Sequence, residues 1–228
     1  MENTNEATEP TENRKVVSIT KQELAALPAA RFPGKVVMVD KDDQIPSVAE
    51  ALNAETIIGF DTETKPSFRR GQSNNVALLQ LSSHTTCYLI RLNHLGLPES
   101  IKRVLENPDI LKIGVSIHDD FHNLHKISNV NPKGFVELQS YVKDYEIQDN
   151  SLSRIYGILF GQRISKGQRL TNWEADTLTD SQRAYAALDA RACLRLYRHL
   201  LAGGFDPTAS AFRTDTTAHD DTDNMNRT

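Results

Sequence analysis

The chain has 228 residues with 39% hydrophobic and 25% charged positions and a formal net charge of −4. That length suits one domain, and no apolar run approaches the roughly 20 residues of a membrane span. The polar, acidic opening of residues 1–14 does not have the form of a signal peptide, and two cysteines in apolar settings, Cys87 and Cys193, suit a reduced, cytoplasmic protein.

Residues 1–16 and 203–228 read as disordered acidic tails, because their Asn, Thr, Glu and Asp bury too little apolar area to offset the entropy of ordering. Residues 1–14 hold four Glu and one Arg and residues 203–228 hold five Asp and two Arg, which leaves the body between them at +2. A mildly basic body suits a polyanionic partner without requiring one. Within the expected domain, 17–202, strand and helix patterns alternate. Thr20 is placed to cap a short helix over 21–27. Residues 35–39 read as a strand and 46–53 as a helix. Residues 57–63, 76–82 and 87–92 read as three successive strands with turn-rich gaps. A helix with proline in its first turn follows at 98–106. A short strand at 111–115 precedes a helix over 117–126. Gly161 ends a helix over 152–160, and Gly203-Gly204 ends the longest one, over 179–201. Hairpin-connected strands followed by strand–helix alternation predict a single α/β domain with a mixed five-stranded sheet flanked by helices.

Four acids and a tyrosine stand out along this order. Side chains alternate along a strand, so Asp61 and Glu63 share a face roughly 7 Å apart, with Ile58 and Phe60 on the other. Two acids so placed suit one cation or a pair of cations roughly 4 Å apart, although a solvated strand end has the same pattern. In the 117–126 helix the apolar stripe is Ile117, Phe121, Leu124 and Ile127. Asp120 falls inside that stripe and Asp119 outside it, and an acid on the inward face needs a partner. Tyr185 and Asp189 are four apart on one helix face, which Ala192, Cys193, Leu196 and Leu200 continue. Asp189 there is either a ligand or a buried carboxylate satisfied locally. His118 and His122 have zinc-ligand spacing, but with His125 they project away from the stripe. A zinc hydrolase would also need the missing motif Glu and a third ligand.

Taken together, these segments resemble the DEDD superfamily of 3′–5′ exonucleases in its tyrosine form. Phe60-Asp61-Thr62-Glu63-Thr64-Lys65-Pro66 is similar to the first motif. Lys112-Ile113-Gly114-Val115 through Asp120 to Leu124 is similar to the second. Asn172-Trp173, Leu178-Thr179, Gln182 and Tyr185-Ala186-Ala187-Leu188-Asp189-Ala190 are similar to the third. Ala77-Leu78-Leu79-Gln80-Leu81 and Tyr88-Leu89-Ile90 match the strands between the first two. The resemblance spans roughly residues 45–201 and extends to the Werner-type exonuclease and ribonuclease D catalytic domains. It implies a ribonuclease H-like fold and a two-metal site with Mg²⁺ or Mn²⁺ on Asp61, Glu63, Asp120 and Asp189. In that scheme Asp61 bridges both ions, Glu63 and Asp189 complete the nucleophile-side one, Asp120 holds the other, and Tyr185 positions water. Asp119 stands where close relatives often carry Gly.

The resemblance implies a nucleic-acid 3′ end, DNA or RNA, as the partner and a nucleoside monophosphate as the product. No membrane association is expected and no protein partner is named. Lys65, Arg69 and Arg70 follow the first motif, and Arg163, Lys166 and Arg169 precede the third, where they suit phosphates. Of these, Lys65, Lys166 and Arg169 are expected to touch substrate, with Phe68 stacking on a terminal base. Trp173 is expected to pack. Two rivals are a non-catalytic nucleic-acid-binding module on the same fold, which would be expected to lose an acid, and a zinc hydrolase on His118 and His122.

Overall fold

The structure, a computed structural model, describes residues 15–69, 71 and 73–215. Residues 1–14 and 216–228 of the expected tails, and Arg70, lie outside the described residues. In chain order come β1 (Lys15–Val17), α1 (Lys21–Ala26), β2 (Lys35–Val39), α2 (Ile45–Asn53), β3 (Ile57–Thr64), β4 (Val76–Ser82) and β5 (Thr86–Arg91). Then follow α3 (Leu92–Leu95), α4 (Glu99–Glu106), β6 (Leu111–Gly114), α5 (Ile117–His125), β7 (Phe135–Glu137) and α6 (Leu138–Tyr141). The last are α7 (Leu152–Phe160), α8 (Asp180–Leu201) and β8 (Arg213–Asp215).

Among the described residues six strands, not the expected five, form one mixed sheet in the order β2-β5-β4-β3-β6-β7. β3, β4 and β5 make an antiparallel meander. β2 adds parallel to β5, β6 parallel to β3 and β7 parallel to β6. β7 escapes a pattern search because its three residues are all half-buried. With no alternation to read, its pairing to β6 alone makes it a strand.

All seven side chains of β4 are buried, because helices cover both faces of the sheet. On one face Leu79 and Leu81 join Phe60 and residues of α2, α4 and α5, including Leu52, Val104 and Leu124. On the other, Ala77 and Leu78 meet Ala186, Ala187 and Ala190 of α8. α8 starts at a capping box in which Thr179 and Gln182 satisfy each other's backbone amides. α7 stops at Gly161, whose φ of 60° closes it in the left-handed conformation.

Order extends past the expected domain limits of 17 and 202. β1 pairs antiparallel with β8, and residues 203–215 continue from α8 to that strand. Val16 and Val17 are buried, while Phe205 and Phe212 pack on a core cluster with Val17 and Leu200. An averaged composition over 203–228 hides those two aromatics. No helix among the described residues is long and apolar enough to cross a membrane.

Candidate active site

The pleat of β3 sorts its side chains as expected. Phe60 points into the core, edge-on to Phe135 at 5.0 Å between ring centroids. Asp61 and Glu63 point to the other face, where α8 crosses. The approach of α8 is close because residue 59 is glycine. A methyl group there would lie 1.8 Å from the Ala190 carbonyl oxygen. Asp189 is thereby brought over the strand. One carboxylate oxygen from each of Asp61, Glu63 and Asp189 lies within 4.8 Å of the other two. Glu63 is 7% exposed and Asp189 6%.

Gathering three carboxylates in a buried space is electrostatically costly. Burial raises Asp61 to about 7 against a small opposing bond from the Thr62 amide. Burial, then the charges of Asp61, Asp189 and Asp120, push Glu63 up to about 10, and the Arg169 cation offsets little of it. Asp189 is raised well above its ordinary value by burial and by Asp61. Its Oδ1 is buried with no hydrogen-bond partner. Clustered hard oxygen donors, too few cationic neighbours and an orphaned carboxylate oxygen are what a divalent cation would satisfy. The residues therefore fit a divalent-metal site.

Asp120 arrives from the opposite side. The α5 N-terminus follows Ser116, a left-handed residue at φ 61°. Glu137 of β7 accepts from the backbone N–H of Ser116 at 3.1 Å and of Ile117 at 2.9 Å, capping the helix from outside it. Asp120 is half-buried and Asp119 exposed, as helix phase requires. The Thr62 hydroxyl donates to Asp120 Oδ1. Asp120 is thus placed beside the three-acid group rather than inside it. Burial and the Asp61 charge raise it to about 8, Thr62 lowers it, and Asp119 and Glu137 add to the rise.

Tyr185 precedes Asp189 by one turn. Burial and the charges of Asp189 and Glu63 keep its phenol protonated far above the usual range. Trp173 is fully buried with its ring 6.1 Å from that of Tyr185, so it packs. Cys87 and Cys193 are buried free thiols.

Sequence reasoning singled out neither Thr62, Glu137 nor Gln80. Gln80 was legible as the lone polar residue inside the apolar run of β4. It is directly opposite Asp61 on the antiparallel ladder, which puts both side chains on one face. It is fully buried, and neither its amide nitrogen nor its oxygen has a partner.

The expected substrate residues divide. Lys65 is engaged, its Nζ 3.0 Å from Glu174 Oε2. Phe68 is 86% exposed. Lys166 and Arg169 are exposed between α7 and α8, and the Arg169 cation reaches Glu63 electrostatically. Arg69 is exposed. Arg163 donates from Nε to the Leu27 carbonyl. His118, His122 and His125 are exposed, and none belongs to a three-ligand cluster among the described residues.

With this geometry in place, similarity to known proteins is informative. A family model described as 3′–5′ exonuclease matches residues 36–202. The mouse bifunctional 3′–5′ exonuclease/ATP-dependent helicase WRN is 31% identical over 196 residues, covering 82% of this chain and 14% of that protein. A 3′–5′ exonuclease of Arabidopsis thaliana is 30% identical over 189 residues, covering 76% of this chain and 66% of that one. The chain therefore spans a small part of the first relative and about two thirds of the second. The crystal structure of the Aedes aegypti Nibbler EXO domain superposes with a TM-score of 0.68 at 24% identity, covering 79% of this chain and 96% of that one. That likeness establishes the fold.

Proposed function

Because the chain belongs to the 3′–5′ exonuclease family whose model spans residues 36–202, we propose that it hydrolyses nucleic-acid strands from their 3′ ends, releasing nucleoside 5′-monophosphates with two Mg²⁺ or Mn²⁺ ions. The convergence of Asp61, Glu63 and Asp189 within 4.8 Å carries this reading. Those three, together with Asp120 beside them, would hold the ions. Bound there, the ions supply Lewis-acid polarisation of the scissile phosphate and lower the pKa of the attacking water.

The protein's own groups supply position. Tyr185 stays a neutral phenol, so it serves as a hydrogen-bond donor that orients water or a phosphate oxygen and not as a base. Thr62 fixes the Asp120 carboxylate through its hydroxyl. Hydrolysis joins the water oxygen to phosphorus, breaks the bond from phosphorus to the 3′-oxygen, and leaves a shortened strand with a 3′-hydroxyl. Phe68, Lys166 and Arg169 are free of the core and are the proposed contacts with the strand end. Lys65 joins them once it exchanges its Glu174 partner for phosphate.

The test is release of labelled mononucleotide from matched DNA and RNA oligonucleotides with each ion, by the parent protein and by Asp61→Ala. Metal-dependent release that Asp61→Ala abolishes is expected. Equal release by the two proteins overturns the assignment.

A further inference from the structure

Two clefts meet at Ser165, and one of them opens beside Tyr185. The first, of about 460 Å³, lies between Tyr185 and Leu188 on α8, Ser165 and Gln168 before it, and Arg31 on the far wall. The second, of about 410 Å³, begins at the same Ser165 and is lined by Lys21, Arg163 and Lys166. No Asp or Glu among the described residues lines either cleft.

One wall of both comes from residues 21–32, which precede the 36–202 stretch matched by the family model. That wall is fastened in place. The Ala30 N–H donates to the Arg163 carbonyl and the Arg163 N–H to the Pro28 carbonyl, each at 2.9 Å. A parallel bridge joins Ala29 to Arg163, and the Arg163 side chain donates to the Leu27 carbonyl at 3.1 Å. Lys21 and Arg31 are exposed and form no ion pair among the described residues. Their charges are held at the rim of the clefts, where none of the described lining residues is acidic.

We infer that this N-terminal segment is the outer wall of a groove for single-stranded nucleic acid, which carries the strand 5′ to the nucleotide being removed and sets its phosphates against Lys21, Arg31 and Lys166. The inference rests on the exonuclease reading above. A strand whose 3′ end lies at the acids has Tyr185 beside it, and there the first cleft opens. A polyanion favours a positive wall without carboxylates. The apolar atoms of Phe32, Leu188 and Ile164 in the lining offer bases a less polar surface than water.

The experiment compares the parent with Lys21→Ala/Arg31→Ala, using a single-stranded 12-mer and a dinucleotide that reaches only the acids. Affinity for the 12-mer is measured by fluorescence anisotropy across a salt series, and cleavage of both substrates is followed with Mn²⁺. Loss of two phosphate contacts is expected to weaken 12-mer binding about tenfold and to flatten the salt slope by about 1.4, as for single strands. Dinucleotide cleavage is expected to be unchanged. Lys21→Gln/Arg31→Gln, which keeps side-chain bulk, is expected to behave the same way. Undiminished 12-mer binding, or equal losses on the two substrates, overturns the groove. A parent protein that binds the 12-mer through these residues but releases no nucleotide supports the groove and sinks the exonuclease reading instead.

Discussion

The Thr62 hydroxyl donates a hydrogen bond to Asp120 across 58 residues of sequence. It ties the strand that carries two of the acids to the helix that carries a third. The bond favours the charged carboxylate against burial and the Asp61 charge. Thr62→Val keeps the shape and removes the donor, while Thr62→Ser keeps the donor. Thr62→Val is expected to need more metal for half-maximal activity and to lose about 10- to 100-fold in rate, the range for groups that orient metal ligands. Thr62→Ser is expected to recover most of it. Metal titrations of nucleotide release on all three proteins check this.

Asp189→Asn separates function from stability. It removes one of three crowded carboxylates whose charges oppose one another. Activity is expected to fall by roughly 1,000-fold or more, the upper range for loss of one electrostatic group at a reacting centre. The metal-free protein is expected to gain about 1–2 kcal/mol, or about 2–8 °C in Tm at this chain length. Thermal melts in chelator, set beside activity, decide it. A metal-free Asp189→Asn protein less stable than the parent contradicts the electrostatic account.

The same crowding gives a pH dependence of defined sign. Asp61 and Glu63 move from ordinary values of 3.8 and 4.5 to about 7 and about 10, and Asp120 moves to about 8. Raised acids keep their protons in the folded state at pH values where the unfolded chain has released them. Their contribution to stability is therefore fully present below about pH 4 and is lost as pH rises toward 10. In chelator the Tm is expected to fall steadily between pH 5 and pH 9. Millimolar Mg²⁺ or Mn²⁺ is expected to remove most of that fall, because cations bind the deprotonated acids. A flat profile in chelator argues against a buried, uncompensated cluster.

Gln80 carries two unpartnered amide atoms at full burial beside Asp61. Gln80→Leu is expected to stabilise the metal-free fold by about 1 kcal/mol, since the desolvation cost of the amide disappears. It is expected to slow nucleotide release several-fold, because the amide is the polar group next to Asp61 on the adjoining strand. Melting curves and kcat on one oligonucleotide measure the two opposite changes.

Phe68 is exposed enough that its removal leaves the core intact. Phe68→Ala is expected to leave Tm within about 1 °C, as for surface substitutions. It is expected to weaken oligonucleotide binding by about 1–3 kcal/mol, the range for one stacked base. Unchanged affinity removes Phe68 from the strand contacts.

Much of this was legible because it is local. The period-2 pattern of 57–63 put Asp61 and Glu63 together, and helix phase separated Asp120 from Asp119 and joined Tyr185 to Asp189. The strands 35–39 and 76–82 fell where their apolar runs lay. What escaped depends on contacts between segments distant in the chain. β7 is a strand only by its ladder to β6, and β1 and β8 only by each other. Glu137 caps a helix that starts 20 residues earlier, and composition cannot reveal that. Thr62 was passed over because alternation sends it away from Asp61, toward the side from which α5 delivers Asp120. Lys65 read as a free cation, and only the fold brings Glu174 to it.

The absence of a side chain at Gly59 has a consequence for how such domains are judged. The distance between the two backbones that carry Asp61 and Asp189 is fixed where the carbonyl of Ala190 meets the strand, and no rotamer change can readjust it. A homologous chain could keep every carboxylate and still be inert, silenced by one added methyl group at this position. An inventory of acids certifies the ligands of the site, whereas the glycine certifies its gauge.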